Sequence, residues 1–276
     1  MDEMYRLEAA LRCFSWMLLW VVVGWGVGWG CREAPNAALS HKIGHGHMLQ
    51  LTIAIDGPAG AGKSTAAKAL AKALGLSLVD TGALYRGVAL QAQRAGVAWD
   101  AASEASLAAI AQSLDARFDF DGESNRIFLS GEDTSTAIRS PEIAQGASKI
   151  AALPMVRSGL MELQRTIASQ PPGAVLEGRD IGTVVLPNAS AKFFLTAPVE
   201  TRVKRRHAEL VAAGGEPPEY ETLLAMTAER DRRDSERAVA PLKQADDAVL
   251  IDSSSLTVDA IVQTMISEVH RRNADT

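Results

Sequence analysis

An α/β fold built on a parallel, doubly wound sheet is predicted by three observations. Short apolar runs recur at "LTIAI" (51–55), "LSLVD" (76–80), "AVLEG" (174–178), "AKFFLT" (191–196) and "AVLID" (248–252). Helical patterns separate them, and that alternation sets successive strands parallel. A glycine-rich octet stands between the first strand and the first helix, where a helix N-terminus is free to hold an anion.

Each element follows from its own residues. Residues 51–55 read as a short buried strand. Residues 63–74, "KSTAAKALAKAL", carry an apolar helical stripe at Ala66, Ala69, Leu70 and Ala73, and Gly75 is a natural stop. The other apolar runs are short enough to be strands. Two intervals exceed a minimal sheet. "DARFDFDGESNRIFLSG" (115–131) reads as two strands around a polar turn, inside an excursion from about 87 to 150. Residues 199–237 read as two charged helices joined by "AGGEPPEY". Both intervals are expected to be insertions on one core.

The first 47 residues differ from the rest. They hold four of the five tryptophans (Trp16, Trp20, Trp25, Trp29) and both cysteines (Cys13, Cys31). The remainder has no cysteine, which excludes disulfide and thiolate chemistry there. "FSWMLLWVVVGWGVGWG" (14–30) is 17 uncharged residues, short for a membrane span of about 20. Its leader "MDEMYRLEAALR" lacks the positive charge of a secretory signal. An upstream translation start is the expectation, with Met48 opening a domain over 48–276; a membrane anchor over 14–30 is the other reading. Residues 1–47 are charge-neutral, so 29 acids and 24 bases in the remainder carry the whole net charge of −5. That balance argues against a non-specific nucleic-acid binder. Bound anions must be held by local clusters.

The octet Gly57-Pro58-Ala59-Gly60-Ala61-Gly62-Lys63-Ser64 is one such cluster. Small residues let the main chain curl round phosphate oxygens with its N–H groups inward, and the following helix adds its positive end. Lys63 can reach the β- and γ-phosphates of ATP, and the Ser64 hydroxyl can ligate Mg²⁺.

Three further stretches concern the acceptor. "VDTGALYR" (79–86) is either a plain helix start capped by Asp80 or Thr81, or an anion site using Tyr85 and Arg86. "LEGRDIGTVVLPNA" (176–189) sets Glu177, Arg179 and Asp180 at the carboxyl end of a strand, where open sheets bind ligands. Residues 202–237 hold seven arginines. Arg202, Arg205 and Arg206 share one helical face by spacing, and Arg230, Asp234 and Arg237 share another. Two such stripes on a helical hairpin can close over a polyphosphate and exclude water.

"IDGPAGAGKST", "DTGALYRGVA", "GEDTSTAIRS", "EGRDIGTVV" and "ERDRRDSERAVAPL", in this order and at these intervals, resemble the bacterial cytidylate kinases. The likeness runs from about residue 51 to 272 and leaves out residues 1–47. It implies a P-loop kinase fold with a five-stranded parallel sheet, an enlarged acceptor-binding insert (87–150) and a helical lid (199–237). It implies transfer of a phosphoryl group from ATP, with Mg²⁺, to CMP or dCMP. By the same resemblance, residues 57–65, Thr65 included, hold the donor. Arg86, Arg179 and Arg237 hold the acceptor phosphate, beside Thr81 and Tyr85. Asp234 and Arg230 hold the ribose, and Ser148, Arg157 and Asp180 read cytosine. Arg202, Arg205 and Arg206 serve the lid, and Glu177 orients Mg²⁺ through water. A cytoplasmic monomer is expected, and no protein partner is implied. The rival readings are a P-loop kinase for another small acceptor and an ATP-binding regulatory module without turnover.

Overall fold

A computed structural model describes residues 51–212 and 214–274. The expectations for residues 1–47 and for Met48 lie outside the described residues. The strands are β1 (Leu51–Asp56), β2 (Ser77–Asp80), β3 (Ala116–Phe120), β4 (Asn125–Leu129), β5 (Glu132–Asp133), β6 (Gly173–Gly178), β7 (Ala191–Thr196) and β8 (Val249–Asp252). The α-helices are α1 (Lys63–Leu74), α2 (Thr81–Arg94), α3 (Glu104–Gln112), α4 (Pro141–Ile150), α5 (Pro154–Ala168), α6 (Val199–Ala212), α7 (Tyr220–Glu236) and α8 (Val258–Ala274). The five strands expected from the apolar runs all form, within one residue of their expected ends.

They make one parallel sheet in the order β2-β6-β1-β7-β8. From the central β1 the chain builds β2 and β6 on one side, then β7 and β8 on the other. Alternation along β1 serves two cores, because successive side chains leave opposite faces. Ile53 and Ile55 pack with Leu70 of α1, Phe193 of β7 and Met265 of α8. Ala54 faces the other way, towards Leu176, Ala168 and Val185. Helix α1 stops at Gly75, whose φ of 65° is left-handed and costs glycine nothing.

The register places the site. Asp56 pairs with Gly178, and Asp80 pairs with Glu177. Strands β1, β2 and β6 therefore deliver three carboxylates to one edge of the sheet, their carboxyl end.

The hairpin expected over 115–131 is present, β3 pairing antiparallel with β4 from Ala116↔Leu129 to Phe120↔Asn125. The two-residue β5 adds a third strand that the apolar pattern did not announce. A third core lies behind this hairpin, with Leu84, Leu107, Leu129, Ile138, Ile143, Ile150 and Leu160. It draws on α2 and α5 as well as on residues 87–150, and α2 runs through position 87 without a break. The second insertion is the expected helix pair, α6 and α7. One detail differs: α7 ends at Glu236, so Arg237 is not on its face with Arg230 and Asp234. Arg237 has extended ψ (139°), and its Nε–H donates to the Ala240 carbonyl at 2.5 Å. The local turn outcompetes a further helical residue.

Gly146 of α4 packs against the Trp99 indole, whose Nε1–H donates to the Ala89 carbonyl at 3.1 Å. A Cβ at Gly146 would lie 2.6 Å from Trp99 Cδ2, so Gly146→Ala should displace the ring. The expected cost in urea unfolding is about 1–3 kcal/mol, offset in part by about 1 kcal/mol of helix propensity. Trp99 is the only tryptophan after Trp29, so in a chain begun at Met48 its emission should shift to the red. Unchanged emission and an unchanged midpoint would contradict this packing.

Candidate active site

The glycine-rich loop forms the arch its composition requires. Gly57 has φ of 145°, and a Cβ there would stand 2.0 Å from the Leu195 carbonyl oxygen. No other residue fits between β1 and β7. Gly62 is the left-handed N-cap of α1, at φ 87°. Lys63 follows and is buried, its ammonium donating to the Pro58 carbonyl at 2.8 Å across the arch. Burial, helped by the Arg179 charge, pushes that ammonium down to about 7. An ammonium that has lost its water and faces another cation is poised to accept an anion. Ser64 and Thr65 are exposed beside it.

Three carboxylates underlie the loop. Glu177 accepts from the Ser64 hydroxyl at 2.8 Å, and burial, with Asp80 nearby, raises it to about 7. Asp56 is buried and accepts from the backbone N–H groups of Ile181 (2.8 Å) and Gly182 (2.7 Å). Burial lifts it to about 6 against the pull of those two bonds. Asp80 caps α2 by accepting from Ala83 N–H at 3.1 Å and pairs with Arg86 at 2.5 Å. Asp80 is thus a helix cap, and Arg86, one turn on, is its ion-pair partner. Thr81 is buried, its hydroxyl donating to the Glu177 carbonyl at 2.7 Å.

Beyond the edge of β6 lies a second cluster. One Asp180 oxygen is paired with Arg157, which is 3% exposed. The other accepts from Arg237 at 3.1 Å. The Arg157 guanidinium also lies 5.6 Å from the centroid of the buried Tyr85 ring. Arg179 pairs with Asp234 of α7 at 2.8 Å. The Arg230 guanidinium is pushed down to about 10 by burial, then by Arg179, and its Nε–H has no hydrogen-bond partner. The Ser148 hydroxyl and Arg157 Nε are likewise buried without partners. Unsatisfied buried donors are costly, and here they point to a polar ligand.

The cytidylate kinase family model matches residues 53–271. The chain belongs to the cytidylate kinase family. It is 50% identical over 222 residues to a cytidylate kinase from Citrifermentans bemidjiense, covering 80% of this chain and 94% of that one. It is 47% identical over 225 residues to one from Pseudomonas aeruginosa strain LESB58, covering 81% and 96%. A relative from an Exiguobacterium species is 48% identical over 215 residues, covering 78% and 94%.

The arginines of α6 are placed unevenly. The spacing of Arg202, Arg205 and Arg206 suggested one stripe, yet the three have different partners. Arg202 is buried and faces the loop, donating to the Ala197 (2.8 Å) and Ala59 (3.1 Å) carbonyls and pairing with Asp231 of α7 at 2.7 Å. Arg205 donates to the Ser253 hydroxyl (3.0 Å) and carbonyl (2.6 Å). That hydroxyl donates on to the Ala61 carbonyl at 2.9 Å. Arg206 is exposed and pairs with Glu209 one turn on, at 3.2 Å. Helix α6 is therefore docked on the phosphate loop through two arginines, and the third faces solvent.

Asp56, Asp231 and Ser253 escaped the sequence reading. Asp56 had a signal, a lone carboxylate closing an apolar strand. Asp231 was hidden among charges, and Ser253 carried no signal at all.

Lys63 gives this cytidylate kinase a proton linkage. At pH 8 an ammonium lowered to about 7 is mostly neutral, and an arriving polyphosphate raises it again. ATP binding should then take up protons, read by calorimetry in two buffers of different ionisation enthalpy. Lys63→Met should abolish the difference. Equal binding heats in both buffers for the parent protein would contradict the assignment.

Proposed function

We infer that the protein transfers the γ-phosphoryl group of ATP to CMP or dCMP, giving ADP and CDP or dCDP. The observation that carries this reading is the Arg157–Asp180–Arg237 cluster, which abuts Arg179 and shares the carboxyl edge of the sheet with Lys63. It offers a carboxylate and donors to a base, beside arginines suited to a phosphate.

Residues 57–65 cradle the donor phosphates, and Lys63 neutralises charge on the group in flight. Ser64 and Glu177 supply oxygens 2.8 Å apart, a donor set that suits a hard cation. Ser64 would hold Mg²⁺, with Glu177 orienting it through water, and the bound cation would neutralise phosphate charge. Arg86, Arg179 and Arg237 take the acceptor phosphate, next to Thr81 and Tyr85. Each of the three is now held by a carboxylate: Asp80, Asp234 and Asp180. Asp234 and Arg230 take the ribose. Ser148, Arg157 and Asp180 take cytosine, whose amino group needs an acceptor.

No general base is required. The acceptor phosphate is already an anion; its oxygen bonds to the γ-phosphorus as the bond to the β-phosphate oxygen breaks, and ADP leaves with that electron pair. Positioning and charge neutralisation supply the catalysis. Helices α6 and α7, the lid of residues 199–237, exclude water, and Arg202, Arg205 and Arg206 belong to it. Within this reading, residues 48–276 form the kinase domain with its acceptor-binding insert at 87–150. The enzyme works as a cytoplasmic monomer on small nucleotide substrates.

Lys63→Met should lower turnover with ATP and CMP by several powers of ten, on the order of 4 kcal/mol or more. Near-normal turnover of the purified variant would remove the donor-loop assignment.

Uracil sets a carbonyl oxygen where cytosine has an amino group, so UMP would face Asp180 oxygen to oxygen. Such polar pairing can discriminate by about 10⁴, against roughly 10² for shape alone. Asp180→Ala should therefore lose far more kcat/KM with CMP than with UMP. An unchanged ratio between the two would mean that Asp180 does not read the base.

A further inference from the structure

Asp56 is a buried charged group that no substrate contact above uses. It is the last residue of the central strand, 4% exposed, and the phosphate loop starts at the next residue. Both of its oxygens are spent on one turn, through Ile181 N–H at 2.8 Å and Gly182 N–H at 2.7 Å. That turn, residues 181–185, opens directly after Arg179 and Asp180. Its first N–H groups have no partner within the turn, as at any helical start. The Asp180 carbonyl accepts from Val184 (2.9 Å) and Val185 (3.2 Å), so the turn is closed on its far side. A buried carboxylate is costly, and two short charge-assisted bonds offset part of that cost here.

Both ends of this link are rigid. At Gly57 the backbone lies against Leu195, where a Cβ would stand 2.0 Å from the carbonyl oxygen. At Gly182 a Cβ would stand 3.1 Å from Lys192 Cδ and 3.4 Å from Asp56 Oδ2. One side chain therefore joins the strand that launches the donor loop to the arm that carries Arg179 and Asp180.

We propose that Asp56 is a positioning residue for phosphoryl transfer: its carboxylate locks the Arg179–Asp180 arm to β1 and so sets the gap between acceptor and donor phosphates. The proposal rests on the CMP kinase reading above. Asp56 touches neither nucleotide, and it acts by holding the two halves of the site in register. Transfer between two bound phosphates tolerates little displacement, and misplacement of about 1 Å costs on the order of 10²-fold in rate.

The test uses the full chain and two variants that approach the link from opposite sides. Asp56→Asn keeps one acceptor and turns an amide N–H against the second backbone donor. Gly182→Ala leaves the carboxylate in place and crowds the turn from the other side, its Cβ 3.1 Å from Lys192 Cδ and 3.4 Å from Asp56 Oδ2. Each should lower kcat on the order of 10²-fold and raise KM for CMP, with ATP affinity measured without CMP unchanged. The double variant should be no worse than the poorer single one, because both break the same link. Unchanged kcat and CMP KM in either soluble variant would overturn the proposal. So would equal losses of ATP and CMP affinity, or a lowered melting temperature with both KM values intact, which mark a merely structural role. If Asp56→Asn does not fold, Gly182→Ala decides alone. A parent protein that fails to phosphorylate CMP would sink the functional reading instead, whatever the variants do.

Discussion

Pairing between arginine and carboxylate at the carboxyl edge of the sheet is the interaction on which the site depends. Burying a guanidinium costs several kcal/mol unless a carboxylate and further hydrogen bonds compensate it. Arg157, Arg179, Arg202 and Arg237 are each paired with an aspartate, at Asp180, Asp234, Asp231 and Asp180 respectively. The sheet register brings Asp56, Asp80 and Glu177 to the same end of the sheet, so the glycine-rich loop and the Asp180 cluster share one floor. The free protein thus carries a nearly compensated array of charges. On the proposed reading, bound nucleotides displace carboxylates from some arginines, which makes binding a matter of exchange.

That exchange has consequences for the chemistry. Lys63 lies among cations and is lowered to about 7, while the neighbouring Glu177 is raised to about 7. Both shifts arise chiefly from burial, and both favour the uncharged form of the empty site. A phosphate anion beside Lys63 would reverse that balance and restore its charge. The base of α6 is docked in the same region. Arg202 ties it to Ala59 of the loop, and Arg205 ties it to Ser253, which is bonded to Ala61. Helix α6 is thus anchored on the glycine-rich loop, while Arg206 stands in solvent next to Glu209.

Much of this was legible in the sequence, wherever the signal is local. The strand–loop–helix around Lys63 follows from an apolar run, a glycine octet and an alanine-rich helical stripe. The hairpin over 115–131 follows from two short β-prone stretches around a polar turn. Arg179 and Asp180 follow from their place just past a strand. Pairings across the sheet left no such mark. Asp56 meets Ile181 at a separation of 125 residues, and Ser253 meets Ala61 at 192. Helical spacing also misled where tertiary contacts overrode it. Arg237 leaves the α7 face because the helix ends one residue earlier, and the arginines of α6 diverge because Arg202 is buried against the loop and Arg205 is bonded to Ser253.

The most direct measurement is a crystal structure with CMP and a non-hydrolysable ATP analogue. The expected result is a CMP phosphate within hydrogen-bonding distance of Arg86, Arg179 and Arg237, with the Arg86–Asp80 and Arg179–Asp234 pairs opened and the cytosine amino group on Asp180. A CMP bound elsewhere, with both of those pairs still closed, would contradict the exchange of carboxylate for phosphate on which this reading of the site rests.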